Sequence, residues 1–171
     1  MNSSNDQLQK LARTPGSAGD PGFAVIVAFD YYDGPEHGLA LYPSGDGVRF
    51  SSLGDSKSRF FRAFELTPIE GAWWPQVKAL QRAAGIDPPR RILMPCEATE
   101  ELRQLESSVF QAPPIGQFVG VGSPDFERVS ICAVTQEQLE ALRELGCSPA
   151  GFQMAHKLVK SRTAEIHGRR V

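Results

Sequence analysis

The sequence predicts an α+β domain, and three observations carry that expectation. Runs rich in β-branched and aromatic residues follow one another between residues 23 and 66, with only short turn segments between them. From Pro75 onward the apolar period lengthens from two toward 3.6. Strand-like and helix-like stretches are therefore segregated more than strictly alternated, the pattern of helices laid against an antiparallel sheet. The expected architecture is a sheet of roughly four to six strands covered by about three or four amphipathic helices.

Residues 1–22 are rich in Ser, Asn, Gly, Pro and Gln, which predicts a mobile leader ahead of a single domain at residues 23–162. Phe23–Asp30 is a continuous apolar run of the kind covered on both faces. Asp33-Gly34-Pro35 breaks it, and Gly38–Tyr42 follows before the turn Pro43-Ser-Gly-Asp-Gly47. Val48–Leu53 alternates as a half-buried strand. Beyond the loop Gly54–Ser58, Arg59–Leu66 reads as a strand with Phe60, Arg62, Phe64 and Leu66 on one face. Connections this short suit an antiparallel meander, since parallel crossovers need a dozen or more residues.

Pro75 suits the first turn of a helix whose buried stripe is Val77, Leu80 and Ala84. Gly85 with Ile86 beyond it predicts a Schellman C-cap. Arg91–Met94 reads as a short strand. Glu97–Val109 is expected to be a second helix, burying Leu102, Leu105 and Val109. Gln117–Gly122 and Phe126–Val134 form a hairpin around Ser123-Pro124-Asp125. Thr135 and Gln138 have capping-box spacing and open a helix carrying Leu139, Leu142 and Leu145. A last helix, Gly151–Ser161, presents Phe152, Ala155, Leu158 and Val159, and residues 163–171 read as a loose basic tail.

The totals bound the function. Hydrophobic residues are 41% of the chain and charged residues 22%, an ordinary soluble balance for a core that needs neither disulfides nor metal. The opening residues show no basic stretch leading into an apolar one, so no secretory signal is expected. Cys96, Cys132 and Cys147 are odd in number and form no CxxC, which predicts reduced thiols and a cytoplasmic location. The net charge of −2 hides an asymmetry: residues 155–171 carry five basic groups against Glu165, leaving the remainder at −6. The acidic body repels nucleic acid, and only the basic segment Lys157 to Arg170 could contribute to binding it. A second nucleic-acid set, Lys57, Arg59 and Arg62 interleaved with Phe60, Phe61 and Phe64, competes with the core's need for those phenylalanines.

Motifs of established chemistry are missing. There is no HxxxH, HExxH, P-loop or GxSxG, and Gly120-Val-Gly122 leads into a hairpin rather than a helix. The sequence therefore implies neither a cofactor nor a metal. Cys96 before Glu97 would be a thiol at a helix start, where its nucleophilicity rises, yet no histidine accompanies it in a local motif.

The densest polar stretch is FDYYDGPEHG, Phe29 to Gly38. Asp30, Asp33 and His37 could act as acid and base if they converge in a cleft, which would make the chain a small hydrolase or transferase. Turn chemistry explains the same residues more simply, because Asp-Gly-Pro ends strands by local bonding and unusual φ. The leading expectation is a non-enzymatic protein-binding domain of inhibitor or immunity type, directed at a basic partner. Its expected contact residues are Tyr31, Tyr32, Asp33, Glu36, Trp73 and Trp74, with acids and aromatics meeting the partner together.

Overall fold

The computed structural model describes residues 23–58, 60–86, 92–93, 99–126 and 129–168, with side chains described as far as Ser161. Among the described residues, seven strands form one sheet: β1 (Val25–Tyr31), β2 (Pro35–Leu41), β3 (Gly47–Asp55), β4 (Arg62–Ile69), β5 (Ile92–Leu93), β6 (Phe118–Gly122) and β7 (Val129–Ala133). Four described helices accompany them: α1 (Trp74–Ala83), α2 (Glu100–Gln111), α3 (Gln136–Leu145) and α4 (Pro149–Gly168). The class is α+β, with one strand more than expected. The strand order is β5-β1-β2-β3-β4-β6-β7. The first four strands form the expected antiparallel meander, and β6 and β7 add to it as a hairpin. Strand β5 departs from that pattern and pairs parallel to β1. The chain between them, through β2, β3, β4 and α1, supplies the long connection that a parallel neighbour requires.

Side-chain parity assigns the two faces. Along β4, Ala63 and Ile69 share one face, while Arg62, Phe64 and Leu66 share the other. Ala63 packs with Leu142, Phe152, Ala155 and Val159 of α3 and α4. Ile69 packs with Val77 and Leu80 of α1 and Leu102, Leu105 and Val109 of α2. Both helix pairs therefore lie on the same side of the sheet. The opposite side holds Ile26, Ala40, Val48, Phe50, Phe64, Leu66, Phe118 and Ile131, and none of the described helices contributes to that cluster. Phe126 fills it from the β6–β7 loop. Its φ of 61° is unusual for a residue with a Cβ, but it places the ring 4.2 Å from Phe64 and 4.7 Å from Phe50 between centroids. Burial of a full aromatic side chain is worth about 1.5–3 kcal/mol, enough to hold that backbone in place.

Several elements end where local chemistry places them. Gly85 at φ 65° closes α1, with its N–H donating to the Arg82 carbonyl and Ile86 N–H donating to Gln81, both bonds of the expected Schellman cap. Thr135 and Gln138 form the capping box on α3. Helix α2 begins after Thr99, whose hydroxyl accepts from Leu102 N–H, so it starts later than the expected Glu97. The turn between α3 and α4 seats on β3. A Cβ on Gly54, at φ 135°, would meet the Ser148 carbonyl oxygen at 2.4 Å, so only glycine admits this approach. Two further expectations are corrected. Leu145 is exposed at the last residue of α3. Helix α4 ends at Gly168, later than the expected Ser161. The leader at residues 1–22, Cys96 with its helix-start environment, the His167 side chain and the terminal Arg169 and Arg170 lie outside the described residues.

Candidate functional site

The sheet end that carries the β1–β2, β3–β4 and β6–β7 connections is organised around one arginine. Strand β4 begins at Arg62, opposite Asp55 of β3. Its parity with Phe64 turns the side chain onto the face opposite the described helices, where it is 1% exposed. A buried guanidinium must be paired and hydrogen-bonded to be tolerated. Asp55 accepts from Nε at 2.5 Å and from Nη2 at 3.3 Å. The carbonyl oxygens of Pro35 and Tyr32 accept from Nη1 and Nη2, each at 3.0 Å. Glu36 Oε1 completes the cluster 3.4 Å from Nη2. The planar five-donor fork of arginine matches this set, and an ammonium group would not.

Electrostatics follows from that arrangement. Burial works against the Arg62 cation, but the Asp55 hydrogen bond and the charges of Glu36, Asp55 and Asp33 outweigh it and hold the group protonated beyond its ordinary range. Burial raises the Glu36 carboxyl above its ordinary value, and the attraction of Arg62 only partly offsets it. The arginine is therefore committed to Asp55 and the two carbonyls, and Glu36 is the cluster's weakly held member.

The cluster fixes the turn within FDYYDGPEHG. Asp33 takes φ 51° and Gly34 takes φ 132°. A Cβ on Gly34 would lie 2.7 Å from the Pro124 Cβ and 3.0 Å from Arg62 Nη1, so this turn is pressed between the arginine and the β6–β7 loop. With their backbone tied down, Tyr31 and Tyr32 face outward, Tyr32 at 66% exposure. The neighbouring β3–β4 loop is closed by Ser56 N–H donating to the Phe61 carbonyl and Phe61 N–H donating to Ser56 Oγ. It presents Phe60, 74% exposed, together with exposed Phe61. Tyr31, Tyr32, Phe60 and Phe61 thus stand on two adjacent loops that share one buried clamp. Among the described residues of these three connections, Asp30, Asp33, Glu36, Asp55 and Asp125 outnumber Lys57 and Arg62.

No protein-family model matches this chain, and no curated protein or solved structure does.

Of the expected acid–base residues, Asp30 and His37 are register partners across β1 and β2, and Asp33 lies in the turn between them. Glu36 and His37 are adjacent on β2 and project to opposite faces. Glu36 joins Arg62, whereas His37 lies on the helix side with Nε2 3.7 Å from Glu106 Oε1 and its ring 6.1 Å from those of Phe29 and Phe110. Asp30 accepts from its neighbour Tyr31 N–H at 2.9 Å, a bond local to the strand end. Asp33 sits in the turn, where its charge acts on Arg62. Alternation along β2 is the reason for the split: a strand cannot aim consecutive side chains into one cleft.

Of the two tryptophans expected as contact residues, the structure buries Trp73 and leaves Trp74 partly exposed. Trp73 is 4% exposed, packed in the core under Gly47 and Gly71. Trp74 is half-buried, donates from Nε1 to the Pro43 carbonyl at 3.0 Å, and has Lys78 Nζ 6.0 Å from its ring centroid. The aromatic–arginine set for nucleic acid also dissolves, since Arg62 and Phe64 are buried while Phe60 and Phe61 face outward. Strand β4 starts at Arg62 rather than at Arg59, which is why the phenylalanines fall in the loop. Among the described residues, no group of three His, Cys, Asp or Glu side chains is placed to hold a metal ion, and no helix is long and apolar enough to cross a membrane. The sequence offers Phe60 and Phe61 only as nucleic-acid contacts and does not reveal the anchoring part of Arg62. The available signal was a lone arginine at core parity between Phe61 and Phe64, opposite a strand end rich in carboxylates.

Proposed function

We propose that this chain is a protein-binding domain that uses the loop end of its sheet, with Tyr31, Tyr32, Phe60 and Phe61 as anchors and the surrounding carboxylates favouring a basic partner. The observation that carries the reading is the pairing of exposure with fixity. Large aromatics left in water on loops tied to a buried Arg62 lose little further freedom on binding, and aromatic anchors dominate interface energies. An acidic surround raises the association rate with a basic surface and makes it salt-dependent. The expected partner is an enzyme or other protein masked by this contact, in the manner of an inhibitor or immunity protein.

The test is comparative capture from lysate of the native host with the full chain and with Tyr32→Ala/Phe60→Ala. Both substitutions are at exposed positions, so the fold should persist and circular dichroism should be unchanged. One partner rich in Lys and Arg, released by added salt, should be lost from the double variant, since each anchor of this type is worth about 2 kcal/mol. A partner retained equally by both chains would place its contact elsewhere and defeat the proposal.

A further inference from the structure

On the helix side of the sheet, a cavity of about 410 Å³ opens between α4, the paired β6–β7 strands and Phe61. Val121, Gly122, Phe152 and Val159 form its apolar walls, and Ser130 adds a hydroxyl. His156 and Lys160 stand at its edge, one turn apart on α4, and the His156 ring stacks on Phe152 at 5.7 Å. None of the lining residues is acidic. A second cavity shares the same two basic residues and adds Lys157, so the basic groups of α4 gather where the apolar walls end. Pockets of this size with mostly apolar walls and few polar groups are the usual form of small-ligand sites.

The arrangement resolves into two functions along one axis. Val121 and Val159 are placed to cover a hydrocarbon body, and Gly122 leaves room where a side chain would stand. Lys160 can donate to an oxyanion as a mobile point charge, with His156 beside it, and Ser130 can donate from the strand side. A neutral apolar ligand would gain nothing from the lysine. A cationic one would be repelled. We infer that this cavity binds a small amphipathic carboxylate, its hydrocarbon body between α4 and the β6–β7 pair and its carboxylate at Lys160 and His156. The inference is independent of the proposed protein-binding rim, although Phe61 borders both.

Decanoate is a suitable probe, titrated into the full chain by calorimetry below its micellar concentration, with decanol and decyltrimethylammonium as neutral and cationic counterparts. Decanoate should bind most tightly, decanol more weakly by about tenfold or more for want of one charge-assisted hydrogen bond, and the cation least. Lys160→Gln should bring decanoate to the level of decanol and leave decanol unchanged. Ser130→Trp, at an exposed strand position where folding is little at risk, should block both ligands. Equal affinity for decanoate and decanol, decanoate binding that survives Ser130→Trp, or no decanoate binding would each overturn the assignment. So would adsorption to anionic phospholipid vesicles without uptake of monomeric decanoate, which would mark a basic surface rather than a pocket. Because Tyr32→Ala/Phe60→Ala leaves the cavity walls intact, it should not alter decanoate affinity, and failure of either reading is visible without the other.

Discussion

The two turns that flank β2 are seated by opposite means. At one end, the turn of Tyr32, Asp33 and Gly34 is held by a buried ion cluster: Arg62 reaches the Tyr32 carbonyl and that of Pro35 just beyond the turn, and draws Asp55 and Glu36 around them. At the other, the turn from Tyr42 to Asp46 is held by tryptophans. Trp73 packs beneath Gly47, and Trp74 meets Gly45 and donates to the Pro43 carbonyl. Both devices satisfy backbone that would otherwise loosen, but they leave different surfaces. The tryptophans close over their turn and consume the aromatic area. The arginine holds its turn from beneath and leaves Tyr31 and Tyr32 facing water. A loop that must be both rigid and available is better served by the second arrangement.

The largest expected effect tests the ionic seat. Arg62→Met removes the donor of every bond in the cluster and leaves two carboxylates facing one another, which should cost about 3 kcal/mol in urea unfolding. Breaking a buried pair sets that scale, and the lower end applies because Asp55 and Glu36 keep some access to water. Adding Asp55→Asn and Glu36→Gln to Arg62→Met should recover part of the loss, since the residual repulsion disappears. A variant that unfolds at the wild-type midpoint would show that the clamp is dispensable.

The tryptophan seat should yield smaller, graded effects. Trp73→Phe leaves an under-filled site in the core and should cost about 1–2 kcal/mol. Its Nε1 has no hydrogen-bond partner among the described residues, so that cost is one of packing. Trp74→Phe removes one partly exposed hydrogen bond to Pro43 and should cost about 0.5–1.5 kcal/mol. Reversal of this order in thermal unfolding would mean that the exposed bond, rather than the buried ring, seats the turn.

The smallest effect separates the two members of the acidic pair. Folding raises the Glu36 carboxyl, so the folded chain binds protons there more readily than the unfolded chain. The resulting stabilisation is complete below the ordinary value of 4.5 and is lost as pH rises through the raised folded value. Glu36→Gln should therefore be slightly more stable than wild type at neutral pH, and the advantage should vanish as pH falls below that ordinary value. Arg62 retains Asp55 and both carbonyls throughout. An advantage that grows on acidification would reverse the assignment and make Glu36 a stabilising anion.

Local chemistry was legible wherever a few neighbouring residues decide the outcome. The Schellman end of α1, the capping box of α3, the Asp-Gly-Pro turn and the buried β1 run all depend on backbone conformations and apolar patterns written within short windows. What folding alone decided depends on parity and register. A strand beginning at Arg62 instead of Arg59 turns Phe60 and Phe61 from core residues into exposed ones. Alternation on β2 sends Glu36 to Arg62 and His37 toward Glu106 on the helix side, although the two are neighbours in the chain. The pairing of β3 with β4 sets Arg62 against Asp55 and carries its guanidinium to a turn some thirty residues earlier. The α4 cavity exists only because that helix crosses two strands far from it in sequence. Short-range order follows from the residues themselves, whereas a binding surface needs distant residues brought to one place, and that follows only from the sheet's strand order.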